Sequence, residues 1–173
     1  MKAIGERAPR HIVDQTLPLL FASLPDSPPS RDAAAEREKC WKLLLTIQKL
    51  CIQQALFEVM VVRLMTKFDL LCSPSKLDGD DVEPAQAYAH MILKTLALTL
   101  DTKVKAKHPD VAKYIDSLIP RIFNVFVTSV FVAGERKVVA SDPRLFRVAG
   151  QIITSVVQSL PVSLVFLFFL PTP

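Results

Sequence analysis

Apolar residues recur at helical spacing along nearly the whole chain, and prolines interrupt this pattern at intervals. A period of about 3.6 residues places apolar side chains on one face of an α-helix. Proline stops a helix or occupies its first turn. No segment alternates convincingly with the period of two that is typical of a half-buried strand. The pattern therefore predicts an all-α fold of helices joined by sharp corners.

The composition supports this interpretation, because 13 prolines stand against only 4 glycines, which argues against a turn-rich sandwich or barrel. Ser30 is expected to cap the second helix, and Pro120 is expected inside the fifth. Three phenylalanines of the fifth helix are expected in the core, namely Phe123, Phe126 and Phe131. The six predicted helices cover Ile12 to Leu24, Ser30 to Cys51, about Gln54 to Leu71, Pro84 to about Lys103, Val111 to Val132, and Asp142 to about Leu160.

A short motif recurs in the first and fifth predicted helices. Residues 13–21 and 115–123 share an aliphatic residue, an Asp, a Pro and a Phe at the same offsets, and residues 160–164 form a weaker copy. Pro120 and Pro161 lie 41 residues apart, within the range of about 40–47 residues that HEAT and armadillo repeats show. This spacing predicts a HEAT/armadillo-like α-solenoid of antiparallel helix pairs, and a plain helical bundle is the alternative. The approximate units are 9–52, 53–108, 109–160 and a partial unit 161–173.

Residues that carry chemistry are scattered along the chain. The cysteines lack the C-x-x-C spacing of zinc and redox sites, and no glycine-rich loop could hold a phosphate. The acidic run Asp78, Asp80, Asp81 and Glu83 lacks the order of a calcium loop and is expected to be solvated. We therefore expect no enzyme activity, no metal and no cofactor. The three histidines and three cysteines are His11, His90, His108, Cys40, Cys51 and Cys72, of which Cys40 and Cys51 are expected in the core and Cys72 partly exposed.

A small basic cluster provides the only candidate binding residues. The net charge of +4 is too small to indicate nucleic-acid binding. Lys103, Lys105 and Lys107 lie beside His108 and are weak candidates for contacting an acidic partner. A solvated helix end is the favoured interpretation, because lysine there complements the helix dipole. No aromatic residue alternates with these lysines, so we expect no direct contact with nucleic acid.

Charged residues are absent from the sequence after Arg147. Residues 152–170 have the length of a membrane span, so a tail-anchored membrane protein is one alternative. The first half of this stretch contains several polar residues, and the strongly apolar part, Val162 to Leu170, is only nine residues long. We favour the interpretation that Pro161 begins a further repeat, whose apolar face would pack against a neighbouring repeat.

Three segments together resemble the "MMS-nineteen" family, and the fungal members look most similar. They are residues 16–26, 56–72 and 144–161, and the resemblance covers roughly residues 10–164. This family comprises HEAT-repeat scaffolds that are linked to nucleotide excision repair and transcription. The resemblance also implies that the chain is an internal fragment, because members of the family are many times longer.

The resemblance implies a non-enzymatic adaptor in cytosolic iron–sulfur protein assembly. Such an adaptor holds client apoproteins of DNA repair, replication and transcription beside the machinery that delivers the cluster. Its implied partners are iron–sulfur assembly components and client apoproteins, and its implied location is the nucleus and cytoplasm. Another armadillo-like adaptor, with a transport or cytoskeletal role, stays open.

Overall fold

The structure, a computed structural model, describes residues 9–73, 82–133 and 137–161. Within these ranges the chain forms helices and no strands, which confirms the all-α prediction. The first helix, α1, consists of Pro9–His11, a π-helical turn Ile12–Thr16 and Leu17–Ala22. The others are α2 (Ala34–Leu50), α3 (Gln54–Cys72), α4 (Glu83–Lys105), α5 (Leu118–Ala133) and α6 (Pro143–Val157), with short 3-10 turns at Ala112–Ile115 and Val139–Ser141.

The helices alternate between two layers. Helix α3 packs against the π-helical turn of α1 on one side and against α5 on the other, so α1, α3 and α5 form one layer. Helix α4 packs between α2 and α6 in the second layer and contacts α3 across the interface. This is the solenoid-like arrangement that the repeat spacing predicts. The division into units 9–52, 53–108 and 109–160 stays a prediction.

Helix α4 is the most deeply buried helix of the described chain because it has neighbours in both layers. Its two buried threonines are satisfied locally, because the hydroxyls of Thr95 and Thr99 donate to the carbonyls of Met91 and Thr95, each at 2.8 Å. The apolar side chains fill the space between the layers. Its buried residues are Ala85, Ala87, Tyr88, Ala89, Ile92, Leu93, Thr95, Leu96, Ala97, Thr99, Leu100 and Lys103.

Two of the predicted helix starts are wrong. Ser30 does not cap α2, because the chain first makes a turn in which the Ala33 N–H donates to the Ser30 carbonyl at 3.2 Å. The helix then begins at Ala34, and no side chain caps it. Pro120 is not inside a long fifth helix, because Ala112–Ile115 forms a separate 3-10 turn and α5 begins only at Leu118. Proline in a first turn removes no intrahelical hydrogen bond, which explains its tolerance there.

Ion pairs with two hydrogen bonds each join neighbouring helices within each layer. Arg37 of α2 donates to both carboxylate oxygens of Glu83 on α4, at 2.9 and 2.7 Å. In the other layer, Arg121 of α5 donates through Nε and Nη2 to one carboxylate oxygen of Asp69 on α3, Oδ2, at 2.8 and 2.6 Å. The hydrogen bonds from Arg37 lower the pKa of Glu83. The planar guanidinium fixes the relative position of two helices more strictly than a lysine would.

Candidate docking groove between the last two helices

The candidate lysines at the end of α4 lie in very different environments. Lys103 has no exposed surface, whereas Lys105 and Lys107 are exposed. Lys105 pairs with Asp101, one turn earlier on the same helix, at 2.7 Å. The prediction of a solvated basic cluster is therefore wrong for Lys103, which cannot contact a partner from the interior.

Lys103 joins three elements of the middle of the molecule. Its Nζ lies 2.9 Å from Oδ2 of Asp110, donates to the carbonyl of Ile52 at 2.8 Å, and lies 5.0 Å from the centre of the Phe57 ring. Burial lowers the pKa of Lys103, and the hydrogen bond to Asp110 acts in the opposite direction. Lys103 follows Leu96 and Leu100 at helical spacing, and this is the sequence signal that could have placed it on the buried face.

The chain reaches Asp110 through a left-handed residue at the end of α4. Lys107 has a φ of 53°, and its N–H donates to the carbonyl of Val104 at 2.9 Å. The next N–H, of His108, donates to the carbonyl of Lys103 at 3.0 Å. This pair of bonds is a Schellman motif, in which glycine is the usual left-handed residue. The motif turns the chain back, so that Asp110 meets the ammonium of Lys103.

The described histidines and cysteines do not assemble into a metal or catalytic site. No group of three metal-ligating side chains occurs within the described ranges. All three cysteines are free and buried, and Cys72 is only 4% exposed, so its predicted partial exposure is wrong. Burial raises the pKa of Cys51 and of Cys72 to about 12, which disfavours reactive thiolates at neutral pH. Residues 78, 80 and 81 lie outside the described residues.

An opening with a strongly apolar lining lies between α5 and α6 in the described surface. Its volume is about 430 Å³, and its lining contains no charged side chain. Phe123 is 53% exposed and Phe131 is 84% exposed, so the prediction that both lie in the core is wrong. Only Phe126 of the three is buried, as predicted. The groove is lined by Ile122, Phe123, Phe126, Val127, Phe131, Phe146, Ala149, Gly150 and Ile153.

The shape of the groove follows from side-chain size on the two helices. The rings of Phe126 on α5 and Phe146 on α6 stack with their centres 4.7 Å apart and join the helices. Next to this contact, α6 carries Ala149 and Gly150, and a Cβ added to Gly150 would meet no atom within 4 Å. Small residues thus leave open space where larger side chains would fill the interface.

The groove suits an apolar segment of protein. Phe123, Val127 and Phe131 are spaced four residues apart, so they form one stripe along α5. Ile122 and Phe126 form a second stripe, which is buried. The sequence could have indicated that one stripe is exposed. Arg121 is the only charged residue of α5, so apolar residues cover more than one face of this helix, and two apolar stripes cannot both face α6. An exposed apolar surface of this kind is typical of an interaction site.

Membrane insertion is a separate question from the groove. Within the described part of the chain, no helix is both long enough and apolar enough to cross a bilayer. The strongly apolar stretch, residues 162–170, lies outside that part.

Comparison with known proteins gives one match. The family model MMS19_C, described as "RNAPII transcription regulator C-terminal", matches residues 43–165. The matched stretch begins in α2, includes α3 to α6 entirely and covers more than half of the chain. No curated protein gives a significant match. No solved structure does so either.

Proposed function

We propose that this chain, which belongs to the MMS19 family through its RNAPII transcription regulator C-terminal region, is a non-enzymatic scaffold that binds other proteins. The observation that carries the proposal is the family match over residues 43–165, read together with the two stacked layers of helices. Stacked helix pairs present an extended surface on which several proteins can bind at once. The dispersed histidines and the buried thiols of the described chain suit binding better than catalysis.

Within this role, we propose that the chain helps to deliver iron–sulfur clusters to proteins of DNA repair, replication and transcription. Its partners would be the cytosolic assembly components and the client apoproteins, in the nucleus and cytoplasm. The cluster is cargo in this proposal, held by the partners. The described cysteines agree with that division of labour, because Cys40, Cys51 and Cys72 are buried in the helix layers and offer no shared ligand site.

Affinity purification with mass spectrometry tests this proposal. The tagged chain is expressed in cells, and its bound proteins are compared with those of a Phe57→Ala variant, which loses a fully buried ring from the centre of the stack. We expect iron–sulfur assembly proteins and their clients with the wild-type chain and a strong loss with the variant. Importin cargo or cytoskeletal proteins in their place would favour another armadillo-like adaptor. Recovery of the same proteins with both chains would contradict a role for the folded stack.

A further inference from the structure

A pocket in the first layer, which we call the α3–α5 pocket, lies between the first half of α3, the 3-10 turn Ala112–Ile115 and the start of α5. Its volume is about 410 Å³, and it shares no lining residue with the α5–α6 groove. The region matched by the family model includes all of its lining. The lining combines apolar side chains with hydrogen-bonding groups, which is typical of sites that bind a specific ligand.

Tyr114 lines this pocket, and its buried hydroxyl has no hydrogen-bond partner within the described chain. The residue is only 4% exposed, its ring packs edge-to-face on Phe57, and Nζ of Lys113 lies 5.4 Å from the ring centre. Burial raises the pKa of Tyr114, so the hydroxyl keeps its proton at neutral pH and is able to donate. A buried polar group without a partner is rare and costly, so this hydroxyl indicates a missing acceptor.

Further hydrogen-bond donors line the same pocket. Arg121 uses Nε and Nη2 for Asp69, which leaves Nη1 available, and the ammonium of Lys113 has three N–H donors. Among the described residues of the lining, Glu58 is the only acidic one, and it already accepts hydrogen bonds from Lys113 and Gln54. Donors therefore exceed acceptors in the lining, as in a site for an anionic group.

The start of α5 gives one side of the pocket a positive potential. Ser117 and Leu118 line the pocket where α5 begins. The first N–H groups of a helix have no acceptor within it and carry a partial positive charge. The first turn of α5 has no acidic residue, and Asp116, just before it, does not line the pocket. An anion bound here would therefore interact favourably with the helix end.

We propose that the α3–α5 pocket binds a carboxylate from an acidic peptide segment of a partner protein. The carboxylate would accept hydrogen bonds from the hydroxyl of Tyr114 and from the side chains of Lys113 and Arg121. An apolar side chain next to it in the peptide would pack on Val62, which lines the pocket and is 58% exposed. A free anion would leave this apolar surface in water, so the lining favours a peptide. The inference rests on the proposed scaffold role, because it takes the ligand from another protein.

Titration of the isotope-labelled full chain with short peptides, followed by NMR, tests the inference. The probe is acetyl-Leu-Glu-Leu-amide, and its matched control carries Gln in place of Glu. We expect the probe to shift the amide signals of residues 117–121 and the control to bind about tenfold more weakly, since it lacks the charge. Equal binding of the two peptides, or no binding of either at millimolar concentration, would overturn the inference. Inorganic phosphate that binds as tightly as the probe would overturn the assignment to a protein partner.

The two tyrosines of the chain separate a role in binding from a role in folding. Tyr88 is also buried, but its hydroxyl donates to the carbonyl of Pro25 at 3.0 Å. We expect Tyr88→Phe to lower the urea midpoint of unfolding and to leave binding of the probe unchanged. Tyr114→Phe should keep the wild-type midpoint and weaken binding of the probe by about fivefold.

Two results with these variants would contradict the inference. They are unchanged binding of the probe to the Tyr114→Phe variant, and a fall in its urea midpoint equal to that of the Tyr88→Phe variant. The titrations use no iron–sulfur protein, so their failure would leave the scaffold role standing. Failure of the affinity purification, with the probe still bound by the wild type and weakened by Tyr114→Phe, would instead count against the proposed function and not against the pocket.

Discussion

Helices α4 and α5 are both rich in apolar residues, yet they differ strongly in how much of their apolar surface is exposed to solvent. Helix α4 is packed by α2, α3 and α6, and even Lys103 is inaccessible to solvent. Helix α5 leaves Phe123, Val127 and Phe131 exposed. The difference comes from the number of neighbouring helices, since the helical spacing of apolar residues is present in both. An apolar stripe therefore indicates a surface that can pack against a neighbour. The position of the helix in the stack determines whether a neighbouring helix buries that surface.

The largest expected contrast is between two phenylalanines. Phe57 is fully buried and packs edge-to-face on Tyr114, with ring centres 5.0 Å apart, while Phe131 is mostly exposed. We expect Phe57→Ala to lower the free energy of unfolding by about 3–5 kcal/mol and Phe131→Ala to change it by about 0.5 kcal/mol or less. Urea unfolding followed by circular dichroism measures both values. Equal losses in the free energy of unfolding would contradict the proposed difference between the middle and the end of the stack.

A second contrast concerns two ion pairs at the end of α4. Asp110→Ala leaves the ammonium of Lys103 buried without its counter-charge, so we expect a loss of about 3–5 kcal/mol. Asp101→Ala removes the partner of exposed Lys105 and should cost about 0–1 kcal/mol. Thermal unfolding of the two variants under the same conditions gives the difference. A double variant, Lys103→Met with Asp110→Leu, should regain much of the loss, because no buried charge remains.

The N-terminal cap of α6 should make stability depend on pH. Burial would raise the pKa of Asp142, but hydrogen bonds from the Arg144 side chain and backbone outweigh it, and the pKa lies below its ordinary value. Because the folded pKa is lower than the unfolded one, the stabilisation is present at neutral pH and is lost as pH falls through the folded pKa. Asp142→Ala should therefore cost about 1 kcal/mol at neutral pH and less in acid. A constant difference across an unfolding titration would be the contrary result.

The smallest expected effect is a gain in stability. Lys107 holds a left-handed conformation in the Schellman motif, where a Cβ is unfavourable. We expect Lys107→Gly to raise the free energy of unfolding by up to about 1 kcal/mol, since glycine adopts this conformation without a steric cost. The matched control is Lys105→Gly, inside the last turn of α4, which should lower it by a similar amount. A loss in both variants would mean that the lysine conformation is not strained.

Local features of the chain were predictable from the sequence. The predicted third helix, about Gln54 to Leu71, differs from α3 by one residue at its end, and the predicted start of the sixth helix at Asp142 lies one residue before the start of α6. Both depend on neighbouring residues in the sequence, namely the apolar period and the Asp-Pro start signal. The all-α solenoid-like fold follows from the same patterns.

Features that depend on distant packing were not predictable in this way. The burial of Lys103 requires Asp110 to fold back over the end of α4, and that turn has no glycine to mark it. To predict the exposure of Phe131, one would have to know that no described helix covers that face of α5. Ser30 has the residue type of a cap, but the turn before Ala34 separates it from the helix. Each of these depends on contacts that lie outside a local window.

Native-state hydrogen exchange, resolved by peptide, tests the contrast between the middle and the end of the stack most directly. An α4 that is covered in both layers should exchange only when the whole molecule unfolds, so its opening free energy should equal that of global unfolding. Helices α5 and α6, with fewer neighbours, should open locally at a lower free energy. Protection of α5 that equals or exceeds that of α4 would contradict the account.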